Sequence, residues 1–143
     1  MKIFLDANIL VSVLNKEYPI FPFTSRILSL ADTGRFKLFT SPVCLAIAFY
    51  FAEKKHRTVT AKQKIDILCH HLSIAGNTSE SVFKTLQNKS IHDFEDGLEY
   101  YSATEQECAC IITEDKSDFY FSDIEVLNSV EFCSKYLNSN YIK

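Results

Sequence analysis

Apolar residues along the chain fall into two kinds of segment. Short, nearly continuous runs at Ile3-Phe4-Leu5, Phe36 to Thr40, Cys110 to Thr113 and Ile124 to Leu127 have strand length, and Ser73 to Gly76 predicts one more short strand. Between them apolar positions recur at helical spacing. Ile9, Leu10, Val13 and Leu14 predict a first helix, and Ser25 to Ala31 a second that stops at Thr33-Gly34. Ser41-Pro42 offers an N-cap and a proline at the first helical position. The run from Val43 to Ala52 behind it is apolar almost all round, which predicts a deeply buried helix ending in the charged Glu53 to Arg57. Thr60 to Leu72, with Ile65, Leu68 and Leu72 on one face, and Ser79 to Leu86, with Val82, Phe83 and Leu86, read as amphipathic surface helices. Helical stretches at Asp93 to Gln106 and Ser129 to Leu137 complete the pattern. Buried strands alternating with helices predict an α/β fold: a mainly parallel sheet covered on both faces, with binding sites at the carboxyl ends of its strands.

Length and composition narrow this picture. At 143 residues, with 3 Gly, 3 Pro and no linker-like or repeated tract, residues 1–143 are expected to form a single domain. Hydrophobic residues at 47% and charged residues at 23% exclude a disordered or strongly solvating chain. The net charge of −3 gives no global attraction for nucleic acid, so binding to a polyanion needs a local patch or a bound cation. Five cysteines, at 44, 69, 108, 110 and 133, form neither a disulfide framework nor a zinc-ribbon spacing, and are expected to be reduced and mostly buried. The opening apolar run is too short for a signal peptide, and no run approaches the roughly 18 residues of a membrane span. A cytoplasmic protein with no membrane partner is expected.

Three groups of acids stand where that topology can bring them to one sheet edge. Asp6 follows the first strand, Asp115 and Asp118 follow the strand ending at Thr113, and Asp93 and Asp96 share a face at a helix start. Hard carboxylate oxygens in a cluster suit Mg²⁺ or Mn²⁺, and the chemistry that follows is metal-assisted phosphodiester hydrolysis. Each group also has a plainer reading. Asp6 fits a helix cap, Ser90-Ile91-His92-Asp93 has capping-box spacing, Asp93 and Asp96 fit first-turn acids, and Asp115 to Asp118 fits a polar turn.

In this order and spacing, Ile3-Phe4-Leu5-Asp6-Ala7-Asn8, His92-Asp93-Phe94-Glu95-Asp96-Gly97-Leu98 and Ile111-Ile112-Thr113-Glu114-Asp115-Lys116-Ser117-Asp118-Phe119 resemble the motifs of PIN domains, over nearly the whole chain. The resemblance implies a three-layer α/β/α sandwich and a divalent-metal-dependent endoribonuclease site, as in VapC-type toxins of bacterial toxin-antitoxin pairs. It implies Asp6, Asp96, Asp115 and Asp118 as catalytic and metal-holding acids, supported by Asn8, Asp93 and Thr113. It also implies Mg²⁺ or Mn²⁺ as cofactor, RNA as substrate, an antitoxin protein as partner, and homodimerisation. One departure stands out: six residues beyond Ser41, where the family usually carries a glutamate, this chain has Ile47. Glu53 is no substitute, since it lies about 120° around and about 9 Å further along a straight helix. The chain is therefore similar to a branch lacking this glutamate. The alternative function is a catalytically degenerate PIN domain that binds RNA or protein without cutting.

The densest basic stretch, Lys54-Lys55-His56-Arg57, offers Lys54, Lys55 and Arg57 as RNA phosphate contacts, although cations also suit a helix C-terminus. Tyr100, Tyr101, Phe119, Tyr120 and Phe121 fit either base stacking or core packing. His70, His71 and His92 lack ligand spacing, and no histidine is a catalytic candidate.

Overall fold

The computed structural model describes residues 1–137. Its strands are β1 (Lys2–Leu5), β2 (Lys37–Thr40), β3 (Ser73–Ile74), β4 (Cys110–Ile112) and β5 (Glu125–Leu127). They form one five-stranded sheet in the order β3-β2-β1-β4-β5, parallel throughout. Parallel neighbours cannot be joined by tight turns. The crossovers before β4 run through α1 (Ala7–Asn15), α2 (Phe21–Ser29), α3 (Pro42–Lys55), α4 (Thr58–Cys69), α5 (Ser79–Gln87) and α6 (Phe94–Glu105), the one from β4 to β5 runs through a 3-10 turn at Lys116–Phe119, and α7 (Ser129–Phe132) follows the last strand. The result is the three-layer α/β/α sandwich expected from the sequence. β1 and β4 form its centre: Ile3, Phe4, Leu5, Cys110, Ile111 and Ile112 are all buried, which is why they read as unbroken apolar runs instead of alternating ones.

After β3 the chain returns across the sheet to pair β4 with β1, so the strand order reverses between those two strands. A crevice opens at such a reversal, outside the strands' carboxyl ends. Register fixes which residues meet there. Leu5 pairs with Ile112, and the Asp6 N–H extends the ladder to the Ile112 carbonyl at 3.0 Å, so Asp6 and Thr113 leave the sheet side by side.

Several elements differ from the sequence expectation. The helix over Val43 to Ala52 is not deeply buried. α3 buries a single stripe, Cys44, Ala48 and Ala52, and leaves Tyr50 and Phe51 exposed. A helix in an outer layer has protein on one side only, so an apolar surface that runs all round must overrun the contact. Tyr50 and Phe51 cover one another edge to face at 5.3 Å, and the Lys54 ammonium lies 4.2 Å from the Tyr50 ring centre. α5 also turns an unexpected face inward: Ser81 and Thr85 are buried, whereas Phe83 and Leu86 are exposed. The cause lies in α6, where a Cβ on Gly97 would meet Thr85 Cγ2 at 2.3 Å and Ile91 Cγ2 at 2.9 Å. The two helices pack at a separation that admits only small side chains between them.

Smaller differences lie at element ends. α2 begins at Phe21, with Pro22 in its first turn, and closes through a 3-10 turn at Leu30–Asp32 before Gly34, whose φ of 74° is left-handed. α6 is capped by Asp93 itself, not by Ser90: the Asp93 carboxylate accepts the Glu95 and Asp96 N–H groups at 2.9 and 3.4 Å. The final helix is short, Ser129–Phe132, and continues as a wider π turn over Cys133–Leu137. Expected features held where local chemistry was strong. Ser41 caps α3 by accepting the Cys44 N–H at 3.2 Å, and all five cysteines are free thiols, four of them buried. Among the described residues no helix is long and apolar enough to cross a membrane.

Candidate active site

Asp6 occupies the turn from β1 into α1, and its carboxylate is divided between two tasks. Oδ1 accepts the Ala7 N–H at 2.6 Å, the capping bond that starts α1. Oδ2 accepts the Thr113 hydroxyl at 2.7 Å and the Asn8 amide at 3.4 Å. The plain reading of Asp6 as a cap and the functional reading as a site acid therefore describe one side chain. Asn8 spans the sheet edge: its Nδ2 also donates to Thr113 Oγ1 at 3.1 Å and to Asp115 Oδ2 at 3.3 Å, and its Oδ1 accepts the Glu114 N–H at 3.1 Å. The Asp115 N–H in turn donates to Thr113 Oγ1 at 3.1 Å. This net ties the end of β1 to the loop after β4.

A cleft of about 340 Å³ opens above the net. Asp6, Asn8, Asp96, Asp115 and Asp118 line it together with Glu17 and Glu95, while Val11, Ile47 and Phe51 form its apolar wall. Three separate segments thus deliver the four aspartates singled out in the sequence. Asp93 stays outside the cleft as the cap of α6.

Crowding of like charges shows in the acidities. Burial, reinforced by Asp93, Asp118, Asp6 and Glu95, pushes the Asp96 carboxyl up to about 7. Partial burial, with Asp115, Asp6 and Asp93 nearby, raises Asp118, and burial with Asp93 and Asp6 raises Glu95. Beneath Asp6 lies a residue that the sequence reading did not single out. Glu99, one turn beyond Asp96 on α6, is 1% exposed, and burial together with Asp6 pushes it up to about 10. Its Oε1 accepts the Cys44 thiol at 3.2 Å, whereas Oε2 is buried and accepts no hydrogen bond among the described residues, and the carboxyl faces that of Asp6, an arrangement that holds only with a proton or a cation between the two. Asp6, Cys44 and Glu99 bring their ligand atoms within 4.8 Å of one another. The signal available in the sequence was spacing alone, since a residue three positions beyond Asp96 shares its helix face.

The basic stretch divides. Lys55 Nζ donates to the Asn15 carbonyl and Lys64 Nζ to the Leu14 carbonyl at 3.3 Å, so both close the C-terminus of α1. Lys54 lies 5.7 Å from the ring centre of Phe51, which lines the cleft, but does not line the cleft itself. Arg57 is exposed at the N-cap of α4 and does not line the cleft. Phe119 is core, half-buried Tyr101 packs against the hydrophobic core, and Tyr120 is exposed, stacks on His92 and donates its hydroxyl to the Ser90 carbonyl.

A parallel sheet whose strand order reverses over a cluster of aspartates is the arrangement of a PIN domain, and the PIN domain family matches residues 2–117 of this chain. The chain belongs to that family. It is similar to ribonuclease VapC1 of Aquifex aeolicus (strain VF5), 27% identical over 139 residues that cover 94% of this chain and 95% of the relative. In fold it is similar to a chain of VapBC2 from Rickettsia felis, solved bound to a DNA fragment from the promoter, with a TM-score of 0.69 and 20% identity over 90% of this chain and 98% of that one. It also resembles Mycobacterium tuberculosis VapC20, a toxin that cleaves the sarcin-ricin loop, with a TM-score of 0.60 and 12% identity over 76% of this chain and 86% of the other.

Proposed function

We propose that this chain is a divalent-metal-dependent endoribonuclease that hydrolyses RNA phosphodiester bonds as the toxin of a toxin-antitoxin pair. The observation that carries the reading is the convergence of Asp6, Asp96, Asp115 and Asp118 on one cleft at the carboxyl ends of β1 and β4. The similarity to ribonuclease VapC1 over almost the full length supports the chemistry, and the likeness to VapBC2 supports an antitoxin partner.

The donor set fits a hard divalent cation. Its atoms are carboxylate oxygens that make one another weaker acids, and a buried carboxylate oxygen beneath them accepts no hydrogen bond among the described residues. Asp6, Asp96, Asp115 and Asp118 would hold Mg²⁺ or Mn²⁺, which supplies Lewis acidity, activating water near neutral pH and stabilising charge on the phosphate. The chain's own residues do the positioning. Thr113, Asn8 and the Ala7 N–H restrain Asp6 from three directions, so its carboxylate does not reorganise when substrate arrives. Exposed Asp115 and Asp118 line the cleft, Phe51 and Ile47 provide an apolar wall against which a nucleotide packs, and Lys54, beside Phe51, offers a phosphate contact.

The test is cleavage of labelled RNA with Mg²⁺ or Mn²⁺ and with a chelator, comparing wild type and Asp96→Asn. Cation-dependent cleavage that falls at least a hundredfold in the variant is expected; equal turnover by both proteins refutes the assignment. A second reading, an RNA-binding module that does not cut, is favoured by Ile47 in the cleft wall. RNA binding by the wild type with no cation-dependent turnover would select it.

A further inference from the structure

We propose that Glu99 is an inner carboxylate ligand for the divalent cation of this cleft, reaching it from beneath Asp6. The inference rests on the reading above that the cleft takes a cation, and it adds a residue outside the four aspartates. Four observations carry it. The Glu99 side chain is 1% exposed, and its Oε2 accepts no hydrogen bond among the described residues, the carboxyl lying against that of Asp6. A buried carboxylate left unpaired is a strong liability unless a proton or a cation completes it. Its other oxygen is already oriented, because the Cys44 thiol donates to Oε1 at 3.2 Å, and this leaves Oε2 without a donor from the protein in a carboxyl that faces Asp6. That oxygen's surroundings are anionic: Asp6 and Asp96 both act on Glu99 with like charge. Finally, the Asp6 and Glu99 carboxylates belong to a cluster whose ligand atoms all lie within 4.8 Å of one another, a separation that one shared cation bridges.

The neighbouring helix gives the assignment its sense. α3 presents Ile47 to the cleft, a side chain that cannot ligate, and one turn earlier it presents Cys44 to Glu99. On this side α3 thus supplies a hydrocarbon and a thiol, and the additional carboxylate comes from α6. Cys44, buried and protonated, acts as the donor that aims this carboxylate.

Mn²⁺ binding tests the assignment directly, read from the loss of the free-ion electron paramagnetic resonance signal on titration. The proteins are wild type, Glu99→Gln, which keeps the shape and the acceptor for Cys44, and Glu99→Asp, which keeps the charge and withdraws it by one methylene. Near-ultraviolet circular dichroism reports the fold of each. Wild type is expected to bind, and both variants, with native spectra, to bind at least tenfold more weakly. Variants that bind within twofold of wild type would overturn the assignment and leave Glu99 as a carboxyl sharing a proton with Asp6. A loss accompanied by an altered spectrum in both variants would mark a packing role and would also overturn it. Failure of the wild type itself to bind Mn²⁺, with or without RNA, would remove the cation reading as a whole, an outcome distinct from selective indifference at position 99.

Discussion

Replacing Glu99 with glutamine in the metal-free protein should stabilise it, by an amount that the structure sets. The Glu99 carboxyl is pushed up to about 10 from an ordinary 4.5, chiefly by burial and then by Asp6. At pH 7 the folded protein therefore holds a proton that the unfolded chain releases. At about 1.36 kcal/mol per pH unit, retaining it across the interval from 4.5 to 7 costs about 3 kcal/mol of folding stability. The sign follows: the folded value is the higher one, so the penalty is absent below pH 4.5 and grows as pH rises toward 10. At pH 5 it is under about 1 kcal/mol. Glutamine has nearly the same volume, accepts the Cys44 thiol through its carbonyl, and presents N–H donors toward Asp6 where the protonated carboxyl presents O–H. Urea unfolding in the presence of a chelator is the assay. With a slope of about 2 kcal/mol per molar, the variant's midpoint should lie about 1.5 M above wild type at pH 7 and converge on it near pH 5. Saturating Mn²⁺ should close the gap by stabilising the wild type selectively. Parallel pH profiles for the two proteins, with no gain at pH 7, would refute the reasoning and mean that Glu99 is ionised and hydrated.

Two further substitutions probe the scaffold. Gly97→Ala should destabilise by about 1–3 kcal/mol despite alanine's higher helix propensity, because its Cβ would meet the β-branched, buried Thr85 at 2.3 Å; a stabilised protein in thermal unfolding would show that α5 yields freely. Thr113→Val removes the hydroxyl that donates to Asp6 and accepts from Asn8 and the Asp115 N–H. It should lower stability by about 1–3 kcal/mol and weaken Mn²⁺ binding, and calorimetric titration showing unchanged affinity would exclude a positioning role.

Much of the fold was legible because buried parallel strands leave short unbroken apolar runs, whereas the unbroken run of α3 from Val43 to Ala52 has the length of a helix. Ile3-Phe4-Leu5 and Cys110-Ile111-Ile112 announced the sheet's centre, and the acids that end them announced its edge. The face of a helix was harder to read wherever its neighbour set the spacing. In α5 the apolar residues Phe83 and Leu86 point outward because Gly97 draws the two helices together and leaves room only for Ser81 and Thr85. In α3, small Cys44, Ala48 and Ala52 form the contact, while the larger aromatics stay in solvent. Glu99 escaped notice for the same reason. Between Leu98 and Tyr100 it looks like the polar position of an amphipathic helix, and only the packing of α3 over α6 removes it from water.

The divided carboxylate of Asp6 bears on how the protein's history can be read. One of its oxygens starts a helix and the other joins the two central strands, so selection for folding alone would preserve it. Asp96, Asp118 and Glu99 carry no such obligation; their crowding is a liability that drift would erase once cleavage ceased to matter. A relative that keeps the first aspartate but has lost the others would be an intact fold that has retired from chemistry. On the function proposed above, the first aspartate is therefore the poorest marker of activity, and the burdensome acids around it are the best.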